Sequence, residues 1–151
     1  KIDKASHSFN GKKTERTKIL YSTGGLAYIY TIYGIYNCFN IVANHRDKPE
    51  AVFIRALEPI SGLDCMRENR KTNNLANKDL TNGPAKLCQA LQIDKDLYGH
   101  DLTKGEILFL EDSEEISDIV STKRINIDYA EEYKNKSWRF YQAASPYISV
   151  K

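Results

Sequence analysis

The chain has little that would close a disulfide frame, cross a bilayer or cradle a nucleotide. Its three cysteines, Cys38, Cys65 and Cys88, are an odd number with no CxxC and no Cys/His pairing. Neither a disulfide scaffold nor a zinc site is therefore supported, and buried thiols are the expectation. The longest apolar runs, such as AVFI and EILFL, fall far short of the roughly 20 residues that span a membrane. The first residues, Lys-Ile-Asp-Lys, do not resemble a signal sequence, so a soluble, intracellular protein is expected. There is no GxGxxG, no GxxxxGK[ST] and no HExxH, which removes phosphate-loop and zinc-protease chemistry. His7, His45 and His100 lie too far apart for metal-ligand spacing, and no metal site is expected.

With 151 residues, 41% hydrophobic and 28% charged, the chain suits one domain around a single core. The formal net charge is only +2, but it is segregated. Residues 1–20 carry Lys1, Lys4, Lys12, Lys13, Arg16 and Lys18 against Asp3 and Glu15, whereas 111–120 carry Glu111, Asp112, Glu114, Glu115 and Asp118 with no base. A basic arm beside a neutral body suits a polyanion such as DNA, although a charged arm is also commonly just solvated.

GLAYIYTI alternates, with Tyr28, Tyr30 and Ile32 on one face and Ala27, Ile29 and Thr31 on the other, the period of a strand. IYNCFNIV continues the β-rich composition after Gly34, so either a hairpin or a strand bent at that glycine fits. AVFIRALEP reads as the next strand, closed by Pro59; SGLDCMRENRKT reads as a helix with Ser61 as N-cap. TNGPAKLCQALQI pairs a turn with a helix in which Pro84 occupies the first turn and Leu87, Ala90 and Leu91 form the apolar face. EILFLED reads as a strand, EEISDIVSTKRINID as an acidic linker and a further strand, and WRFYQAASPYISVK as a compact end. Strands and helices mix without a regular βα period, so the expected class is α+β, not a doubly wound sheet.

Three features carry possible chemistry. Arg55 lies inside the apolar VFIRAL, where a guanidinium needs an anion. It forms an ion pair with an acid such as Glu58, reaches water from the strand end, or fixes a catalytic carboxylate. The tyrosines of AYIYTIYGIYNCFN are core rings with hydroxyls at the edge, or else platforms for a stacked base. In the second reading Tyr33, just before Gly34, is placed to wedge into a duplex, and Tyr30 to stack. His7 in ASHS, beside the basic arm, is a candidate hydrogen-bonding group or an ordinary surface histidine.

Taken together, DKASHS, TER, AYIYTIYGIYNCFNI, IRALEPISGLDCMR, NGPAKLCQALQI and RFYQAASPYISV occur in the order and approximate spacing of the alkyladenine (3-methyladenine) DNA glycosylase family, which this chain resembles over nearly its whole length. The resemblance implies a single α+β domain with a curved, mainly antiparallel sheet core and surrounding helices. It implies a monofunctional enzyme that flips a damaged purine out of double-stranded DNA and hydrolyses its N-glycosidic bond without metal or organic cofactor. By motif position, Tyr33 would fill the gap left by the flipped nucleotide with Ile35 beside it; Tyr30, His7, Asn40 and Ala5 would line the base pocket. Lys12, Thr14 and Arg16 would touch DNA phosphates, and Arg55 with the backbone carbonyl of Ile125 would hold the attacking water.

The family's water-activating Glu lies in an E-A-Y type segment just ahead of the D-x-A-S-H stretch, and Lys1 falls past it. The expectation is thus a glycosylase domain over 1–151 that lacks its N-terminal part. The arm also departs from the family at Glu15 and Thr17, where Pro and Asn are usual. A lysine nucleophile is the other glycosylase strategy, but nothing marks one activated Lys. Two further classes stay open: a damaged-DNA-binding relative or fragment without catalysis, and a Tyr-lined domain for a small ligand or sugar. A bacterial, cytoplasmic, nucleoid-associated monomer without membrane contact completes the expectation.

Overall fold

In β1 (Ala27–Ile32) and β2 (Tyr36–Ala43) alternation divides the chain's apolar side chains between two faces. The strands pair antiparallel from Ala27↔Ile41 to Ile32↔Tyr36, and β3 (Glu50–Phe53) adds to β2 from Ala43↔Glu50 to Asn40↔Phe53. These observations come from a computed structural model that describes residues 2–104, 108 and 116–149. A hairpin, not a bent strand, therefore connects β1 and β2.

One face of β1–β2 carries Ala27, Ile29 and Phe39, buried against Leu87, Cys88, Ile93 and Leu102. The other carries Tyr28 and Val42, packed with Leu20 and Tyr21. Each fully buried large apolar side chain contributes about 1.5–3 kcal/mol, so the sheet is held from both sides. Residues 99–102 close the free edge of β1: the Ala27 N–H donates to His100 O at 2.9 Å and the Gly99 N–H to Ala27 O at 2.8 Å.

The aliphatic face is covered by α2 (Pro84–Ala90), where Pro84 occupies the first turn and Leu87 and Ala90 are buried, as the sequence predicts. Its end is set by Gln92 at φ 53°, with the Ile93 N–H returning to Cys88 O at 2.8 Å. This is a Schellman closure without glycine. In α1 (Leu63–Asn69) the N-cap is Gly62 at φ 71°, not Ser61. The chain enters that helix through a left-handed residue, which glycine accepts and serine does not readily.

The strand expected over 51–59 ends at Phe53. Beyond it the backbone leaves β2 for the segment before α2, where the Thr81 hydroxyl donates to Leu57 O at 2.6 Å. A second, two-stranded antiparallel sheet joins β4 (Ile119–Thr122) to β5 (Arg139–Gln142), the latter within the expected compact end. The strand expected over 106–112 lies, apart from Leu108, outside the described residues. Two sheets with helices packed beside them make the class α+β. Cys38 and Cys88 are buried thiols, Cys88 pushed up to about 12 by burial, whereas Cys65 on α1 is exposed, against expectation.

Candidate active site

Directly opposed residues of an antiparallel sheet share a face. The register therefore sets Tyr28, Asn40 and Phe53 in one row across three strands, and Tyr30 and Cys38 in the next. The Tyr30 ring centroid lies 5.5 Å from that of Tyr28 and 6.3 Å from that of Phe53. Buried Asn40 directs its amide N–H₂ to the backbone carbonyls of Tyr28 at 3.2 Å and Cys38 at 3.4 Å. Its side chain is thereby fixed at the floor. Burial raises the Tyr28 and Tyr30 hydroxyls above their ordinary range, so both stay protonated.

His7 stands over this floor. Its segment is a tight turn in which the Ala5 N–H donates to Asp3 Oδ1 at 3.0 Å and the Ser6 N–H to Asp3 O at 3.0 Å, with Ser8 fully buried behind. The imidazole meets Tyr30 edge to face at 4.6 Å and holds the Tyr28 hydroxyl through Nδ1 at 2.7 Å. Arg16 Nη2 lies 3.2 Å from Nε2 and 3.5 Å from Nδ1, and a guanidinium can only donate, so the imidazole is the acceptor in that contact. Desolvation first, then the charges of Arg16 and Lys12, lower the His7 pKa, which favours the neutral form.

The basic arm is a built turn. Thr17 is 3% exposed; its hydroxyl donates to Lys12 O at 3.3 Å and accepts the Thr14 N–H at 2.9 Å. Tyr21 adds a hydroxyl to Lys12 O at 3.2 Å. Lys12, Thr14 and Arg16 are thereby brought to one short exposed stretch. Glu15 is engaged by Lys18 at 2.6 Å, while Lys12 and Arg16 make no salt bridge among the described residues.

Arg55 continues the Phe53 side of the floor, its guanidinium carbon 5.0 Å above that ring. Burial and then the charge of Arg139 depress its pKa. The ion pair with Glu58 does not form, and among the described residues no carboxylate lies within salt-bridge distance of Arg55. Ile125 sits at the bend after β4, partly buried. The preceding residue, Arg124, grips Asp3 through two bonds of 2.6 and 2.8 Å, which ties this bend to the turn carrying Ala5 and His7. Burial alone would raise the Asp3 carboxyl, but Arg124 and the Ala5 N–H prevail and hold it below its usual value.

At the far end of β1, Tyr33 (φ 52°) and Gly34 (φ 74°) are both left-handed, the sign pattern of a type I′ turn. The turn closes through the Ile35 N–H to Ile32 O at 3.2 Å. Tyr33 is 88% and Ile35 71% exposed, an apolar pair projecting from the hairpin tip.

Sequence reasoning missed Tyr28, Cys38, Phe53 and Arg139 as neighbours of the site. Tyr28 was visible as Tyr30's partner on one strand face; the others follow only from strand register and tertiary packing. One surface cleft of about 640 Å³ lies beside α1, lined by Asp64, Arg67 and Asn73, and another of about 580 Å³ lies between the hairpin and α2, with Ile35 in its lining. Among the described residues no cluster of three metal-ligating side chains forms, and no helix is long and apolar enough to cross a membrane.

An aromatic cluster of Tyr28, Tyr30 and Phe53 thus lies beside the cations Arg16 and Arg55, with an exposed apolar pair on the adjoining hairpin. Residues 1–146 match the model of the methylpurine-DNA glycosylase (MPG) family, and the chain belongs to that family. It is 50% identical over 151 residues to a protein of Natranaerobius thermophilus named "Putative 3-methyladenine DNA glycosylase", covering 98% of this chain and 76% of that one. Proteins of the same name from Clostridium novyi (50% over 155 residues; 99% and 77% covered) and Desulfitobacterium hafniense (47% over 155; 99% and 76%) are similar to it.

Proposed function

We propose that this domain excises alkylated or deaminated purines, such as 3-methyladenine or ethenoadenine, from double-stranded DNA as a monomer, by base flipping and hydrolysis of the N-glycosidic bond. Tyr33, with Ile35, occupies the space the nucleotide leaves. The base enters over Tyr30, with His7 at its edge and Asn40 and Ala5 limiting its outline, so that the amine of normal guanine is disfavoured. Lys12, Thr14 and Arg16 take the backbone phosphates, a sequence-independent hold that salt weakens. The observation that carries this reading is the cluster in which the Tyr30 ring lies 4.6 Å from His7 and 5.5 Å from Tyr28, with cations beside it and, among the described residues, no carboxylate in salt-bridge distance of Arg55.

Hydrolysis at the sugar carbon develops oxocarbenium-like charge and needs a carboxylate to activate water. Arg55 and the Ile125 carbonyl orient that water. Arg55 keeps the carboxylate ionised, a role that suits a half-buried cation beside Arg139. In the family a Glu in an E-A-Y type segment activates the water, and among the described residues no carboxylate takes that place beside Arg55.

A single-turnover release assay on a duplex carrying one ethenoadenine tests this, run on the 151-residue chain and on one extended upstream with the Glu segment. The extended chain releases the base, and Arg55→Ala slows it by about 10²-fold. A second reading, damage binding without turnover, is favoured by the same lack of a carboxylate beside Arg55 among the described residues. Salt-sensitive lesion binding with no release by either chain, on any of the family's lesions, would establish it instead.

A further inference from the structure

Arg16 is held in two different ways along its length. Its backbone is pinned: Tyr98 donates its hydroxyl to Arg16 O at 3.1 Å and to Glu15 O at 3.2 Å, and the Lys18 N–H closes the turn onto Thr14 O at 2.8 Å. Its guanidinium is not pinned to any acid among the described residues, because its neighbour Glu15 is engaged by Lys18. Instead it lies over the Tyr30 ring, 5.1 Å from the centroid, and meets the His7 imidazole, its Nη2 3.2 Å from Nε2 and 3.5 Å from Nδ1.

Those two groups are the ones assigned above to the face and the edge of the flipped base. A planar cation over an aromatic ring, with one N–H on an imidazole nitrogen, occupies the space of a stacked purine and one of its hydrogen bonds. We propose that Arg16 is a plug: in the free protein its side chain fills the base site, and a DNA phosphate draws it out, so that the recess opens only on a protein already seated on DNA.

The energetics fit a switch of this kind. A cation–π contact at a partly exposed ring and one bond to neutral histidine are each modest, whereas a guanidinium–phosphate contact is charge-assisted and bidentate. Phosphate therefore outcompetes the ring, while an uncharged base presented without DNA does not. Only the side chain has to swing, since the turn is fixed at Thr14, Thr17 and the Tyr98 hydroxyl. Withdrawal also frees the His7 imidazole of its guanidinium contact, so that its edge can face the base. The consequence is a filter: free purines and nucleosides, abundant and unattached to a duplex, are refused without any contact that reads them.

This inference rests on the proposed phosphate role of Arg16, and the test separates the two. Binding of the free bases ethenoadenine and 3-methyladenine is titrated by calorimetry against the wild type, Arg16→Ala and Arg16→Lys. In parallel, NMR follows the His7 and Tyr30 ring signals while an undamaged duplex is added. Both variants take up free base about tenfold more tightly than the wild type, the loss of a plug of one cation–π contact and one hydrogen bond.

In the wild type the duplex shifts both ring signals, and it tightens free-base binding toward the variants' level; in Arg16→Ala neither change occurs. Arg16→Lys keeps the salt dependence of duplex binding that Arg16→Ala reduces. Free-base affinity that is unchanged or lower in both variants overturns the plug even if the phosphate contact stands, as do ring signals that ignore a bound duplex. An unaltered salt slope in Arg16→Ala removes the phosphate reading, and with it the mechanism of withdrawal.

Discussion

Replacing Tyr33 by asparagine should make the protein more stable and worse at holding a lesion. The ring is 88% exposed, so it contributes almost no burial to the fold. Its backbone, at φ 52°, sits in a region that costs an ordinary L-residue about 1–2 kcal/mol, and that asparagine tolerates. Tyr33→Asn should therefore gain about 1 kcal/mol, which for a chain of this size raises Tm by about 3 °C. On DNA the sign reverses. Unstacking a base step costs a few kcal/mol, and a wedge that offsets about 2 kcal/mol of this holds the extruded state about 30-fold more firmly.

Thermal melts give the first quantity, and ethenoadenine fluorescence in a duplex the second. Tyr33→Ala separates the causes, since it loses the ring but keeps the left-handed strain. Both variants should lose the lesion, and only asparagine should gain stability. An asparagine variant no more stable than alanine, or one that holds ethenoadenine as firmly as the wild type, would refute the claim that strain is stored here for insertion.

Asp3→Asn should cost about 2–3 kcal/mol at pH 7 in urea unfolding, because it leaves the half-buried Arg124 without its carboxylate. The folded Asp3 pKa lies below the unfolded value, so its contribution is fully present above about pH 4 and is lost as pH falls through the folded value; the Asn variant should lack that acid-side slope. Thr17→Val should cost about 1–3 kcal/mol and shallow the salt dependence of duplex binding, since the hydroxyl that shapes the Lys12 to Arg16 turn is gone; an unchanged salt slope would detach the turn from DNA. His7 has a lowered pKa, so wild-type stability should rise with pH just below about 6.5, where the unfolded chain binds more protons, and His7→Gln should flatten that rise. Under native conditions a thiol reagent should modify Cys65 and spare Cys38 and Cys88; two or three modified thiols would contradict the packing of β2 against α2.

Much of this site was legible in one stretch of sequence, because β1, the hairpin tip and β2 are local. Alternation assigned Tyr28 and Tyr30 to one face, and the tyrosine before Gly34 marked the tip. What stayed hidden depends on contacts distant in the chain. The row of Tyr28, Asn40 and Phe53 needs a register across two hairpins, and a slip of one residue would remove Phe53 from the floor. The grip of Arg124 on Asp3 spans 121 residues, and no local pattern announces it. Gly62 displaced Ser61 as the start of α1 because a backbone angle, not a side-chain hydrogen bond, set that boundary.

Why the strained tyrosine stands at one end of β1 follows from the strand's burial gradient. Ala27, Tyr28 and Ile29 are buried; Tyr30, Thr31 and Ile32 are half-exposed; Tyr33 stands in solvent. All six strand residues stay paired to β2, so the inner half, packed on both faces, fixes the direction of the outer half that packs on little. A rigid lever of this kind lets the tip carry a left-handed tyrosine, because that strain cannot relax by moving the strand; beside it Arg16 and Arg55 make no salt bridge among the described residues. The same groups placed at the buried end would cost desolvation of the charges and collapse of the ring into the core. On the proposed reading, the groups that meet DNA therefore sit mainly on the outer half of the strand, and the buried half keeps them aimed.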